Sequence, residues 1–220
     1  MGYQWNWGVF LSPSASGDDT YLGWMFAGFK MTIALSLSAW VLALLLGALV
    51  GVLRTVPNKT LAGLATAYVE LLRNVPLLVQ LFIWYFVLPE LLPPAIGDAY
   101  KQSNPVMQQF LASMVCLGLF TSARVAEQVR AGINSLPKGQ KNAGLALGFT
   151  LPQTYRHVML PMAFRLVVPP LTSEFLNIFK NSAVCSTIGL LELAAQGRQL
   201  VDYTAQPYES FIAVTLSYVL

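Results

Sequence analysis

Between Met31 and Leu53 the chain runs for 23 residues without one Asp, Glu, Lys or Arg. At about 1.5 Å per residue, a helix of that length covers the roughly 30 Å of a bilayer's hydrocarbon core. Inside lipid every backbone N–H and C=O must be satisfied within the chain, and an unbroken apolar run does this as a helix. The rest of the sequence agrees. Hydrophobic residues make up 55% of it and charged residues 10%, where a globular domain carries about 25% charged residues. This composition predicts an all-α, polytopic membrane protein.

Five spans are expected. The first is Met31–Leu53, starting nearer Tyr21 if its apolar flank joins the helix. The second runs from Leu61 to about Leu88, with a kink at Pro76, and carries Glu70 and Arg73 in its first half. The third covers Pro105 to Ile133, the fourth Met162 to Ser186, and the fifth begins near Pro207. Only 14 residues remain from Pro207 to Leu220, so the natural protein is expected to continue beyond residue 220. The first basic residue is Lys30, so no basic leader precedes the first apolar run, and the chain is expected to insert by its own spans.

Lys and Arg in short connections mark the cytoplasmic side. The connections after spans one and three hold Arg54, Lys59, Arg130, Lys138, Lys141 and Arg156. The other side holds Lys101 and Arg198 among Asp18, Asp19, Glu90, Asp98, Glu192, Asp202 and Glu209. The N-terminus, residues 1–20, is therefore expected outside, and the 134–161 loop inside. A net charge of +3 does not suggest nucleic-acid binding. Cys116 and Cys185 sit in apolar surroundings and read as buried thiols without disulfide or metal-site spacing. No phosphate loop, paired catalytic carboxylates or Ser/His/Asp arrangement occurs, so the chain reads as non-enzymatic.

The inside loop contains "GQKNAGLALGFTLPQTYRHVMLP", Gly139 to Pro161, a polar passage punctuated by glycine. Pro137 marks a helix start and Gly148 a helix end. Thr150 and Gln153 form a T-x-x-Q capping box that opens a second helix, which Pro161 is expected to end. On that helix Leu151, Tyr155, Val158 and Met159 share an apolar stripe opposite Gln153, Arg156 and the only histidine, His157, read as solvated. Ala143, Gly144 and Gly148 leave one side of the first helix bare for close approach of another element. The stripe can pack on its own chain or on a partner.

"NAGLALGFTLPQTYRHVMLP" resembles the cytoplasmic signature of the membrane subunits of binding-protein-dependent ABC importers: E-A-A, three residues, a glycine, then a Leu-Pro ending. Asn142, Ala143 and Gly144 stand at the E-A-A positions, Gly148 at the glycine, and Leu160 and Pro161 at the end. Asn142 replaces the usual Glu and so weakens any salt bridge to an ATPase. "YVELLRNVPLLVQLFIWYFVLP", "ARVAEQVRAGINSLPKGQ" and "LPMAFRLVVPPLTSEFLNIFKNSAV" extend the resemblance over nearly the whole chain, to the polar-amino-acid subfamily and most closely to its glutamate/aspartate type. Arg124, where many relatives have Tyr, carries much of that finer likeness.

The resemblance implies a type I importer permease fold over residues 1–220, located in a bacterial inner membrane. It implies a coupling helix, carried by Asn142, Ala143, Gly144, Gly148, Leu151, Tyr155, Leu160 and Pro161, docking on a cytoplasmic ATPase. The implied partners are a second, homologous permease, two ATP-binding subunits that hold ATP and Mg, a periplasmic binding protein and membrane lipid. The chain itself binds no cofactor on this reading. A permease for glutamine, histidine or arginine is the alternative within the family. A secondary transporter or channel would show an inverted repeat and a midplane carboxylate cluster, which the sequence lacks. A membrane scaffold would tolerate apolar residues on the polar face of the fourth span.

Charged residues within spans are costly and face protein or water. Glu70 and Arg73, three apart, are expected to pair, with Asn74 beside them. Arg124 has Glu127 one turn away as an internal partner, or else forks onto a substrate carboxylate. In the fourth span Ser173, Asn177 and Lys180 share one face, and Glu174 and Asn181 its neighbour, with Ser182 following. Pro169-Pro170 is expected to disturb that helix one turn earlier. The expected substrate path is thus Glu70, Arg73, Asn74, Arg124, Glu174, Asn177, Lys180, Asn181 and Ser182.

Overall fold

The computed structural model describes residues 3–219, and among them the chain is helical apart from its connections and one isolated bridge, Pro13 to Thr20. A short 3₁₀ turn, Trp7–Leu11, precedes α1, Tyr21–Leu53. Then come α2, Lys59–Asn74, and α3, Leu77–Leu91, followed by α4, Pro94–Lys101, and α5, Pro105–Asn134. The chain closes with α6, Lys138–Ala146, α7, Leu151–Ile188, α8, Leu193–Thr204, and α9, Pro207–Val219. By length and apolarity α1 and α5 can each cross a membrane alone. Among the described residues the pairs α2 with α3 and α7 with α8 qualify only as bent elements, which brings the candidates by length and composition to as many as four, and α9 has 13 residues.

The expected second span is two helices. Val75 precedes Pro76 and takes extended backbone, φ −98° and ψ 128°, because the proline ring excludes the helical region from the residue before it. The chain bends by 102° there, far more than a kink. α2 is amphipathic: Asn58 caps its first N–H groups, Ala65 and Val69 are buried, and Leu64 and Leu71 are exposed. Glu70 and Arg73 therefore ride on this helix and not in the apolar α3.

One other proline expectation fails for an instructive reason. Pro161 does not end its helix, because Tyr155–Met159 widens to a π turn in which the Leu160 N–H bonds the Tyr155 carbonyl five residues back. The same device stands before Leu88-Pro89, where Ile83–Val87 widens and the Leu88 N–H reaches the Ile83 carbonyl. One extra residue per turn relieves the proline ring's clash with the preceding turn. Pro169 and Pro170 lie inside α7, whose helix continues through them although neither can donate a backbone hydrogen bond to it. The helix read as Met162 to Ser186 thus starts at Leu151, and the 12-residue α8 lies in a stretch read as loop.

Two compact units share these helices. The first comprises residues 1–38, 78–116 and 179–220, the second residues 39–77 and 117–178. In the first, Val9, Tyr21, Met25, Leu193 and Leu200 form a buried cluster with Trp24, Phe29 and Tyr218 against it. Buried Glu192 caps α8 through the N–H groups of Ala194 and Ala195, at 3.0 and 2.8 Å, and accepts from the Tyr218 hydroxyl at 2.8 Å. Glu209, also buried, accepts from the Asn6 N–H at 2.6 Å and from the Tyr3 hydroxyl. Cys116 and Cys185 are buried and form no disulfide.

In the second unit α1 lies directly on α5. A Cβ on Gly47 would fall 2.6 Å from Val125 and 2.7 Å from the Ser122 carbonyl, and one on Gly51 2.7 Å from Val129. Small residues one turn apart let the backbones meet, as the G-x-x-x-G spacing implies. Val69, Ala123 and Ala126 fill the space where α2 joins them.

Candidate functional site

The polar hairpin between α5 and α7 is built from local signals. α6 ends in a Schellman arrangement: Gly148 adopts φ +86°, its N–H bonds the Leu145 carbonyl at 3.0 Å, and the Phe149 N–H bonds the Gly144 carbonyl at 3.1 Å. The capping box follows, with the Thr150 N–H on Gln153 Oε1 at 2.8 Å and the Gln153 N–H returning to Thr150 Oγ1 at 3.5 Å. A Cβ on Gly144 would meet Thr154 Cγ2 at 2.7 Å, so this glycine lets the two helices close on each other.

The apolar stripe faces its own chain. Tyr155 and Met159 are buried with Ile133 and Ala163, while Leu151 and Leu160 pack around them. The Tyr155 hydroxyl donates to the Thr55 carbonyl at 2.8 Å and ties the hairpin to the α1–α2 connection. Asn142, Ala143, Gly148 and Pro161 are exposed. The exposed apolar tip consists of Leu145, Leu147 and Phe149, Leu147 with 76% of its surface open. These three were missed in the sequence, because a period of two around a helix end matches no amphipathic stripe. His157 is exposed, near the Phe149 ring.

A second feature of the same unit is a cleft of about 350 Å³ lined by Arg73, Phe120, Arg124, Glu127, Gln128 and Glu174. Beside it Glu127 gathers three guanidinium groups. Oε1 accepts from Arg54 at 2.7 Å and Arg73 at 2.9 Å, and Oε2 accepts from Arg130 through Nη2 at 2.9 Å and Nε at 3.1 Å. Arg54 is the enclosed member, its side chain 7% exposed and its Nε on Thr66 Oγ1 at 3.3 Å. Both pairings expected from sequence are thus corrected. Arg73 bonds Glu127 and not Glu70, because α2 lies across α5 and carries Arg73 to it. Arg124 in turn finds Glu127 already taken.

Arg124 instead stacks over the Phe120 ring, 4.7 Å from its centroid, and stands 3.9 Å from Glu174 Oε2, too far for a hydrogen bond. Its side chain is 43% exposed and opens on the cleft, whereas Glu174 is 13% exposed. Of the nine expected path residues the cleft joins three, Arg73, Arg124 and Glu174. Glu70 and Asn74 are exposed elsewhere on α2, and Asn177 is half-buried outside the lining. Lys180, Asn181 and Ser182 belong to the first unit, Lys180 exposed and Ser182 buried with its hydroxyl on the Phe179 carbonyl at 2.7 Å. Arg54 and Arg130 were read only as topology markers. The i,i+3 spacing of Glu127 and Arg130 was the signal for the cluster. Among the described residues no group of acidic, His and Cys side chains is placed to hold a metal.

Residues 43–220 match the family described as binding-protein-dependent transport system inner membrane component. The chain is 61% identical over 221 residues to the glutamate/aspartate import permease protein GltJ of Escherichia coli K12, covering 100% of this chain and 90% of that protein. It is 37% identical to the probable glutamine ABC transporter permease protein GlnM of Bacillus subtilis, covering 88% and 84% of the two. A solved amino acid ABC transporter, crystallised with histidines, superposes with a TM-score of 0.76 at 30% identity, over 90% of this chain and 87% of that one. All-helical among the described residues and with these relatives, the chain has the ABC permease fold of a membrane transport component. The chain belongs to the family of inner-membrane components of binding-protein-dependent transport systems.

Proposed function

We propose that the chain is the permease subunit of an ATP-driven importer of acidic amino acids, glutamate and aspartate. The observation that carries the substrate class is Arg124: a guanidinium stacked on Phe120, open to a cleft, and without a hydrogen bond to its nearest carboxylate, Glu174. Its fork fits one carboxylate of the substrate, and Glu174 beside it fits the ammonium. The 61% identity to a glutamate/aspartate permease supports the same class.

In this reading a soluble binding protein delivers the amino acid, and the chain pairs with a second, homologous permease across the membrane. Two ATP-binding subunits holding ATP and Mg dock on the hairpin, with Leu145, Leu147 and Phe149 as the contact and Gly148 as its fixed corner. The whole of 1–220 acts as one transmembrane domain with five spans. α2 with α3 forms the second span and α9 the fifth, and residues 1–20 lie outside, as the Lys and Arg distribution implies.

The test is uptake of radiolabelled aspartate, glutamate, glutamine, histidine and arginine into proteoliposomes holding the complete complex, with and without internal ATP. ATP-dependent uptake confined to aspartate and glutamate is the expected result. Uptake of another amino acid instead refutes the substrate, and uptake without ATP and binding protein refutes the coupling.

A further inference from the structure

Resting on that reading of Arg124, we propose that Arg73 determines specificity for the substrate's second carboxylate, and that it does so by exchanging Glu127 for the substrate. Three observations within the second unit carry this.

Glu127 has more cations than it needs. If Arg73 leaves, Oε1 keeps Arg54 at 2.7 Å and Oε2 keeps both bonds from Arg130. The carboxylate stays paired and no buried charge is uncovered.

Arg73 is also the member free to move away. Arg54 is enclosed and held to Thr66. Arg73 sits in the last turn of α2, beside the break at Val75-Pro76, with its side chain 52% exposed and lining the cleft.

The charges that remain match the ligand group for group. With Glu127 satisfied by Arg54 and Arg130, the cleft offers two guanidinium groups, Arg73 and Arg124, and one carboxylate, Glu174. An acidic amino acid offers two carboxylates and one ammonium. A neutral amino acid fills only the Arg124–Glu174 pair and leaves Arg73 on Glu127. A basic one brings a second cation towards Arg73 and is repelled. Specificity then comes from a guanidinium that has a resting partner, so in the empty site Arg73 is hydrogen-bonded to Glu127.

The experiment is equilibrium binding of radiolabelled aspartate and asparagine to the assembled permease–ATPase complex in nanodiscs, comparing wild type, Arg73→Gln and Arg73→Lys. The exposed helix-end position makes assembly of both variants the expected outcome. Wild type binds aspartate at least about tenfold more tightly than asparagine, Arg73→Gln weakens aspartate roughly 10- to 100-fold, and asparagine changes less than about twofold. Arg73→Lys, with charge but no fork, falls between them. Equal weakening of both ligands marks a structural role and overturns the proposal, as does unchanged aspartate binding in Arg73→Gln. If Arg124→Met loses aspartate while Arg73→Gln keeps it, the acidic-substrate reading stands and the part given to Arg73 falls. If the wild-type complex binds neither ligand, both fall.

Discussion

The two units hold their least exposed carboxylates in opposite ways. In the first, Glu192 and Glu209 are satisfied by backbone N–H groups and tyrosine hydroxyls, donors fixed by helix ends and packing. Desolvation and the neighbouring Glu209 push the Tyr3 phenol up to about 12, so Tyr3 remains a donor at physiological pH. In the second, Glu127 is held by three arginines and Glu174 faces a fourth across 3.9 Å. Neutral, immobile donors make a carboxylate part of the frame. Long cationic side chains make it part of a site whose partners can exchange.

Four substitutions sharpen this contrast, ordered by their expected cost in stability. Glu127→Ala strands the enclosed Arg54 and lowers the stability of the complex by about 3 kcal/mol, read as thermal unfolding in detergent. A smaller loss than that of Glu192→Gln breaks the comparison. Gly148→Val forces a β-branched residue to φ +86°, at a cost of about 1–2 kcal/mol, and abolishes substrate-stimulated ATP hydrolysis in complexes that still assemble. Full stimulation in that variant removes the hairpin from coupling. Glu192→Gln weakens a cap and one tyrosine bond, costing about 1 kcal/mol, with uptake per assembled complex within about twofold of wild type. Arg124→Met changes stability by less than about 0.5 kcal/mol, since its ion pair is long and open, yet costs aspartate uptake the most of the last two. Stability and function therefore separate between Glu192 and Arg124.

What could be read from sequence follows the range of the interaction. α1 and α5 were legible because long uncharged runs are local statements about burial. The hairpin was legible because Thr150, Gln153 and Gly148 act on their own backbone within a few residues. Proline was read unevenly: Pro137 stands at a helix start as expected, whereas Pro76 breaks where a kink was expected and Pro161 is accommodated. Whether the turn before a proline can widen is not written in the proline itself. The charged pairs were misassigned because Arg73 was sought on its own helix, and only the packing of α2 on α5 brings it to Glu127. Arg124 was identified by its type and position, but its partner had to come from another helix.

The account rests on Arg124 as the group that receives an acidic amino acid. The measurement that tests it most directly is the initial rate of ATP-driven aspartate uptake by proteoliposomes containing equal amounts of assembled wild-type and Arg124→Met complex. The account predicts a fall of roughly 10- to 100-fold with the melting temperature unchanged. Aspartate uptake at the wild-type rate in Arg124→Met would contradict it.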